Sequence, residues 1–191
     1  MTLRIIAGKH RGRKIFMKDG SDIRPTGGRA REAIFNILLH GKFGGAENSP
    51  LIDKRVIDLF CGSGALGLEA LSRGAAHVTF VDQSADSITL VKSNIEYFGE
   101  TQNTKTFRSD SANLPKAQAK YSLAFMDPPY KSGLAPKALE SLANGGWLEK
   151  DAVAVAEVSQ KETIDVPPMY TLIDQRDYGN NRIYFLRYKM D

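Results

Sequence analysis

The sequence predicts an α/β fold: an open sheet of about seven mostly parallel strands with helices on both faces, preceded by a small β-hairpin and a helix. Three observations predict it. From Val56 onward, short apolar runs alternate with segments of helical period, the pattern of a parallel sheet joined by crossover helices. Gly62, Gly64 and Gly67 in "DLFCGSGALG" stand between the first run and the first helix. The last two runs, "YTLIDQRDYG" and "RIYFLRY", leave little room for a helix between them, so the sheet ends in a hairpin.

In order along the chain, "LRIIAG" and "RKIFM" read as two short strands joined by the charged turn "KHRGR". "RPTGGRAREAIFNILLHG" reads as a helix capped by Thr26, with Ala30, Ile34, Ile37 and Leu38 on one stripe and Gly41 past its end. "GKFGGAENSP" is a linker. The sheet then begins with "VIDLF", followed by helix "GALGLEALSRG", strand "HVTFVD" and a helix from about Ser84 to Phe98. "TKTFRSD" is a weaker strand, "SLAFMD" a stronger one leading to helix "LAPKALESLANGG", and "AVAVAEV" precedes the final pair. The expected division is a basic extension over residues 1–50 and a core over 51–191.

Composition narrows the function. With 191 residues and 42% hydrophobic content, the chain suits one well-buried domain with an appendage. Cys61 is the single cysteine, and His10, His40 and His77 show no ligand spacing, so neither a disulfide nor a metal site is expected. The start of the chain is too charged for a signal-peptide core and no run is long enough to span a membrane, which predicts a cytoplasmic protein. Charge is unevenly spread. Residues 1–55 carry twelve Lys/Arg against five Asp/Glu, whereas the remainder has a net charge of −3. A basic first quarter suits either a phosphate-facing surface or a merely solvated one.

The glycine motif alone admits a ligand-free crossover. Two carboxylates sharpen it. Asp82 ends the second core strand, where it can accept the hydroxyls of a ribose. Asp58 lies inside an apolar strand, where an isolated charge is costly and demands a cationic or donor-rich partner. S-adenosylmethionine offers an ammonium there, whereas a nicotinamide dinucleotide would bring an anionic pyrophosphate, so the charge favours adenosylmethionine. Asp110 and Ser111, after the third strand, stand where an adenine amino group can be met, or form a simple turn. Cys61 reads as a packing residue.

The fourth core strand ends in Asp127-Pro128-Pro129-Tyr130. Proline cannot continue a central strand, so the chain leaves the sheet there, beside the first strand and its glycine loop. An exocyclic amine on a nucleobase is a poor nucleophile because its lone pair is delocalised into the ring. Asp127 and the Pro128 carbonyl can accept its two N–H bonds and hold the lone pair toward a methyl donor. Tyr130 offers a face for the base, which must leave its stack to arrive.

Together "DLFCGSGALG", "FVD", "SD" and "DPPY" resemble the class I adenosylmethionine-dependent methyltransferases that act on amino nitrogens. "RIIAGKHRGRKI", "RPTGGRAREAIFNIL" and "YGNNRIYFLRY" extend the resemblance over the whole chain to the bacterial D-type small-subunit ribosomal RNA guanine-N2 methyltransferases. The resemblance implies a Rossmann-like fold and a cofactor site of Asp58, Phe60, Gly62, Ser63, Gly64, Asp82, Gln83, Asp110 and Ser111. It implies a catalytic loop of Asp127, Pro128, Pro129 and Tyr130, with the Arg24-Pro25-Thr26 segment beside the pocket. Arg4, Lys9, Arg11, Arg13, Lys14, Arg24, Thr26 and Arg29 would face RNA. The expected substrate is 16S ribosomal RNA in the small ribosomal subunit, and the expected enzyme a metal-free monomer.

Two other functions compete. A DNA adenine-N6 methyltransferase would use the same Asp-Pro-Pro-Tyr chemistry but usually needs a dedicated target-recognition region, and the spare length is mostly residues 1–55. A non-catalytic RNA-binding assembly factor would not need the intact Asp58, glycine loop, Asp82 and Asp127. An NAD-dependent oxidoreductase is more distant, because nothing supplies a hydride-site acid or base.

Overall fold

The computed structural model describes residues 3–17, 27–40, 43, 49–129 and 132–189. Arg24, Pro25, Thr26 with its expected helix cap, Gly41 and Tyr130 lie outside them. At the start, β1 (Leu3–Arg4) pairs antiparallel with β2 (Lys14–Ile15), and α1 spans Gly28–His40. The core follows as β3 (Arg55–Leu59), α2 (Ala65–Ser72), β4 (His77–Asp82), α3 (Ala85–Phe98), β5 (Thr104–Arg108), β6 (Tyr121–Met126), α4 (Leu134–Gly145), β7 (Leu148–Ser159), β8 (Tyr170–Tyr178) and β9 (Asn181–Tyr188).

The sheet has seven strands in the order β5-β4-β3-β6-β7-β9-β8. Strands β3 to β7 are mutually parallel, and β9 runs antiparallel between β7 and β8. The order reverses between β3 and β6, whose adjacent carboxyl ends form the crevice at which open α/β sheets bind ligands. Helices cover both faces, as the alternating pattern predicts. One face packs under α1, α2 and α3 through Ile34, Phe35, Leu38, Leu68, Val91 and Ile95. The other packs under α4 through Ala138, Leu139 and Leu142, with Trp147 stacked on Tyr121 and Phe107.

Caps delimit the helices where the sequence provides them. Ser84 begins α3 by accepting the Ser87 N–H, and Gly99 ends it in the left-handed region at φ 71°. Along α1, Ala30, Ile34 and Leu38 are buried as the stripe predicts and Ile37 packs beside them.

The hairpin differs from expectation. Its strands are two residues each, shorter than the apolar runs that suggested them. Core side chains take the donors a longer ladder would use: the N–H groups of Ile6 and Ala7 go to Glu69, and that of Phe16 to Asn94. Glu69 is fully buried on α2 and also accepts the Arg73 guanidinium at 2.7 Å, with the buried Arg31 of α1 at 3.6 Å. Burial holds the Arg31 guanidinium below its ordinary pKa, opposed by the Glu69 charge. One acid thus joins hairpin, α1 and α2, while Ile5 and Ile15 enter the same apolar cluster as Val56 and Phe125.

Candidate active site

The carboxyl ends of four parallel strands supply the site. Leu59 pairs with Val81 and with Met126, and Asp82 pairs with Arg108. Phe60, Asp82, Ser109 and Asp127 therefore line one edge, with the β3 and β6 exits side by side.

The β3 exit turns sharply. Phe60 has φ 56°, outside the ordinary range of a bulky residue, and Gly62 and Gly64 have φ 51° and 80°. The three glycines serve different ends. A Cβ at Gly67 would lie 2.3 Å from the Phe80 ring, and one at Gly64 would lie 2.5 Å from Val91, so these two permit α2 to pack on β4 and α3. A Cβ at Gly62 would meet nothing nearer than 4.0 Å. Gly62 is thus the glycine at which the backbone is open to a ligand.

Asp82 fixes that loop. Its Oδ2 accepts the Gly62 N–H at 3.0 Å and its Oδ1 accepts the Ser84 N–H at 2.8 Å. Each oxygen retains a second lone-pair direction for a ligand hydroxyl. Exposed Gln83 is anchored through its carbonyl, which accepts the Arg108 Nε–H at 2.8 Å.

Asp58 is buried under the loop, and its Oδ2 accepts the Gly67 N–H at 2.9 Å. Burial pushes its carboxyl pKa up to about 8, against the lowering effect of that hydrogen bond, and the Asp82 charge raises it further. A group so placed ionises readily once a cation arrives. Cys61 is buried in the core, and burial with the two carboxylates nearby holds its thiol protonated, as a packing role requires.

After β5, the Asp110 Oδ1 accepts the Ala112 N–H at 2.9 Å. That turn buries Ser111, whose Oγ has no hydrogen-bond partner among the described residues. A buried hydroxyl without a protein partner is open to a ligand group or an ordered water. Ser63, half-buried in the glycine loop, gives its carbonyl to Asn94 at 2.9 Å. At the β6 exit, Asp127 is half-buried, Pro128 buried and Pro129 exposed.

Several of these roles were not expected from sequence. Asn94 is fully buried: its Oδ1 accepts the Phe16 N–H and its amide donates to the Phe16 carbonyl and to the Ser63 carbonyl. One side chain thus ties the hairpin to the glycine loop. Glu157 follows Ala156, the partner of Met126, so it flanks Asp127 on the neighbouring strand, buried and hydrogen-bonded by Asn181.

The basic residues have unequal commitments. Arg4, Arg11, Lys14 and Arg29 are exposed. Arg4 donates to the Gly12 carbonyl at 2.8 Å, and Lys9 pairs with Glu100 at 2.7 Å. Arg13 instead donates to the Tyr97 and Phe98 carbonyls at the end of α3 and lies over both rings. Among the described residues no group of three or more His, Cys, Asp or Glu could hold a metal ion, and no helix is long and apolar enough to cross a membrane.

An open glycine, a carboxylate on a tight loop, a buried acid readily ionised by a cation and a buried hydroxyl form an acceptor-rich set suited to an adenosine ligand with an ammonium group. The family model "Conserved hypothetical protein 95" matches residues 3–187. The ribosomal RNA small subunit methyltransferase D of Haemophilus influenzae is 31% identical, over 93% of this chain and 89% of that protein. Its Escherichia coli K12 counterpart is 34% identical, over 87% of this chain and 79% of its own length. The solved structure of yhhF from Escherichia coli superposes with a TM-score of 0.84 at 30% identity, covering all of both chains. The chain therefore belongs to the conserved hypothetical protein 95 family, the family of the ribosomal RNA small subunit methyltransferase D proteins.

Proposed function

We propose that the protein methylates the exocyclic N2 amine of a guanine in 16S ribosomal RNA, using S-adenosylmethionine, on an assembled or assembling small ribosomal subunit. The observation that carries this reading is the Asp127-Pro128 exit of β6 directly beside the open glycine loop of β3. When bound, S-adenosylmethionine supplies an activated methyl group on a sulfonium. Asp58 faces the ligand's ammonium, Asp82 its ribose, and Asp110 with Ser111 its adenine; Phe60, Ser63 and Gln83 complete the rim.

Asp127 and the Pro128 carbonyl accept the two N–H bonds of the target amine. That turns the nitrogen lone pair toward the methyl group and stabilises the positive charge that grows on nitrogen during transfer, a charge removed when one N–H proton leaves to Asp127 or water. Pro129 stiffens the loop, and Tyr130 stacks on the base. Residues 1–50 are the RNA-facing extension and 51–191 the catalytic core. The enzyme works as a cytoplasmic monomer and needs no metal.

The test is transfer of labelled methyl to small ribosomal subunits from cells lacking the protein, with the product nucleoside identified by mass spectrometry. N2-methylguanosine in 16S RNA is the expected product. No transfer to RNA, with N6-methyladenine formed in a parallel DNA reaction, would overturn the substrate while keeping the role of Asp127.

A further inference from the structure

Three large apolar side chains are exposed among the described residues, and two of them touch: the Phe16 and Tyr97 rings lie 4.9 Å apart, 39% and 46% exposed. From these we infer that Phe16 and Tyr97 form a stacking step for an unpaired base of the RNA substrate, a contact separate from the base at Asp127. The inference rests on the methyltransferase reading for the identity of the RNA.

Holding the hairpin to the core does not require the two rings. Ile5 and Ile15, both buried, and the polar clamps Glu69 and Asn94 carry that attachment. The rings are also mounted on fixed backbone. Asn94 holds both the N–H and the carbonyl of Phe16, and the Arg13 guanidinium sits 4.7 Å from the Tyr97 ring centroid while binding the Tyr97 carbonyl. A rigid aromatic surface stacks a base at little entropic cost.

Charge selects the occupant. Arg4 and Lys14 are opposite each other across the hairpin and exposed, and Phe16 follows Lys14 by two residues, on the same exposed side. Arg11 is exposed in the turn and Lys92 on α3; of the two exposed acids among the described residues of α3, Glu96 adjoins Tyr97 and Asp86 lies in the first turn at the other end. Aromatic rings bordered by cations match the alternating faces and phosphates of single-stranded RNA. Through Asn94 the same mounting reaches Ser63, so the step has a fixed relation to the glycine loop.

The test compares wild type with Phe16→Ala, Tyr97→Ala and Phe16→Trp in two assays: methyl transfer to small ribosomal subunits, and equilibrium binding of a single-stranded ribo-oligonucleotide across a salt series. Each alanine variant is expected to weaken oligonucleotide binding about tenfold while leaving the salt slope unchanged, because stacking releases no counterions. KM for subunits should rise with kcat nearly constant. The Phe16→Trp protein should fold, and its added indole fluorescence should be quenched as the oligonucleotide binds. Unchanged affinity in both alanine variants, or no quenching of the indole, overturns the inference. So does weaker binding to intact subunits with oligonucleotide binding intact, which would assign the rings to a protein surface. If wild type transfers no methyl to subunits, the functional reading fails separately, and the oligonucleotide arm still decides whether the rings stack a base.

Discussion

The Asp82 carboxylate accepts the Gly62 N–H at 3.0 Å, so the residue proposed to bind the ribose also holds the open glycine loop in place. Its second oxygen binds the Ser84 N–H at the start of α3. Asp82→Ala therefore removes a ligand contact and the loop's anchor together, and should weaken S-adenosylmethionine binding by more than a single lost hydrogen bond, about 2–4 kcal/mol. Asp82→Asn keeps one acceptor and should fall between. Calorimetric titration checks both; unchanged affinity in Asp82→Ala would reject the ribose assignment.

Asp127 follows Met126, the partner of Leu59, and so stands next to Phe60 at the β3 exit. No cofactor group is assigned to it. Asp127→Ala should leave S-adenosylmethionine affinity nearly unchanged while lowering kcat about a hundredfold or more, as expected for an acceptor that matters most when charge develops on nitrogen. Single-turnover rates together with cofactor titration separate the two effects, and full activity would sink the orienting role.

Asp58 makes the protein sensitive to pH in a definite direction. Its folded carboxyl is pushed up to about 8, mainly by burial, whereas an unfolded aspartate titrates near about 4. The native state thus keeps a proton that the unfolded chain releases, so this contribution to stability is full below about pH 4 and is lost as pH rises through about 8. Asp58→Asn cannot ionise, and its melting temperature should fall less between pH 5 and pH 8.5 than that of wild type. Binding a cationic ligand reverses the preference: at pH 7 wild type should release protons on binding S-adenosylmethionine, and Asp58→Asn should release fewer and bind more weakly. Calorimetry in buffers of different ionisation enthalpy reads the difference.

Strands β3, β4 and β6 were legible because each is an apolar run closed by a glycine, aspartate or proline, whereas β5 has a single large apolar residue, Phe107, and left a weaker signal; the neighbour relation of β3 and β6 follows from the topology those runs imply. Asp58 and Asp82 were legible as polar residues out of place at strand positions. Glu69 was not, because a Glu followed by an Arg at i+4 has the spacing of an ordinary helix-surface pair, and it is the hairpin together with Arg31 and Phe35 of α1 that covers it. Asn94 left a fainter signal: it falls between Val91 and Phe98 on the apolar side of α3, where a polar residue needs partners. Those partners, Phe16 and Ser63, are 78 and 31 residues away in sequence, beyond any local pattern.

Glu69 gives the corresponding stability prediction. Removing its carboxylate strands Arg31 and Arg73 and leaves the Ile6 and Ala7 N–H groups without their acceptor. Glu69→Ala should cost about 3–5 kcal/mol, the range for breaking a buried charge network on one side. Hydrogen exchange should rise first at Ile6 and Ala7. Protection unchanged there would show that the apolar contacts of Ile5 and Ile15 hold the hairpin without the clamp.

Arg11 and Arg13 lie two residues apart in one basic turn, yet the structure gives them different work. Arg13 satisfies carbonyls at the end of α3, where a cation also complements the helix dipole, and it packs over Tyr97 and Phe98. Arg11 is exposed. If the hairpin meets RNA, Arg11→Ala should lower the slope of log affinity against log salt by about one phosphate contact and leave the melting temperature unchanged. Arg13→Ala should lower the melting temperature, and its loss of RNA affinity should follow the lost mounting of Tyr97 more than the lost charge. Salt-dependent RNA binding with thermal melts distinguishes them, and a salt slope untouched by Arg11→Ala would return the turn to a solvated surface.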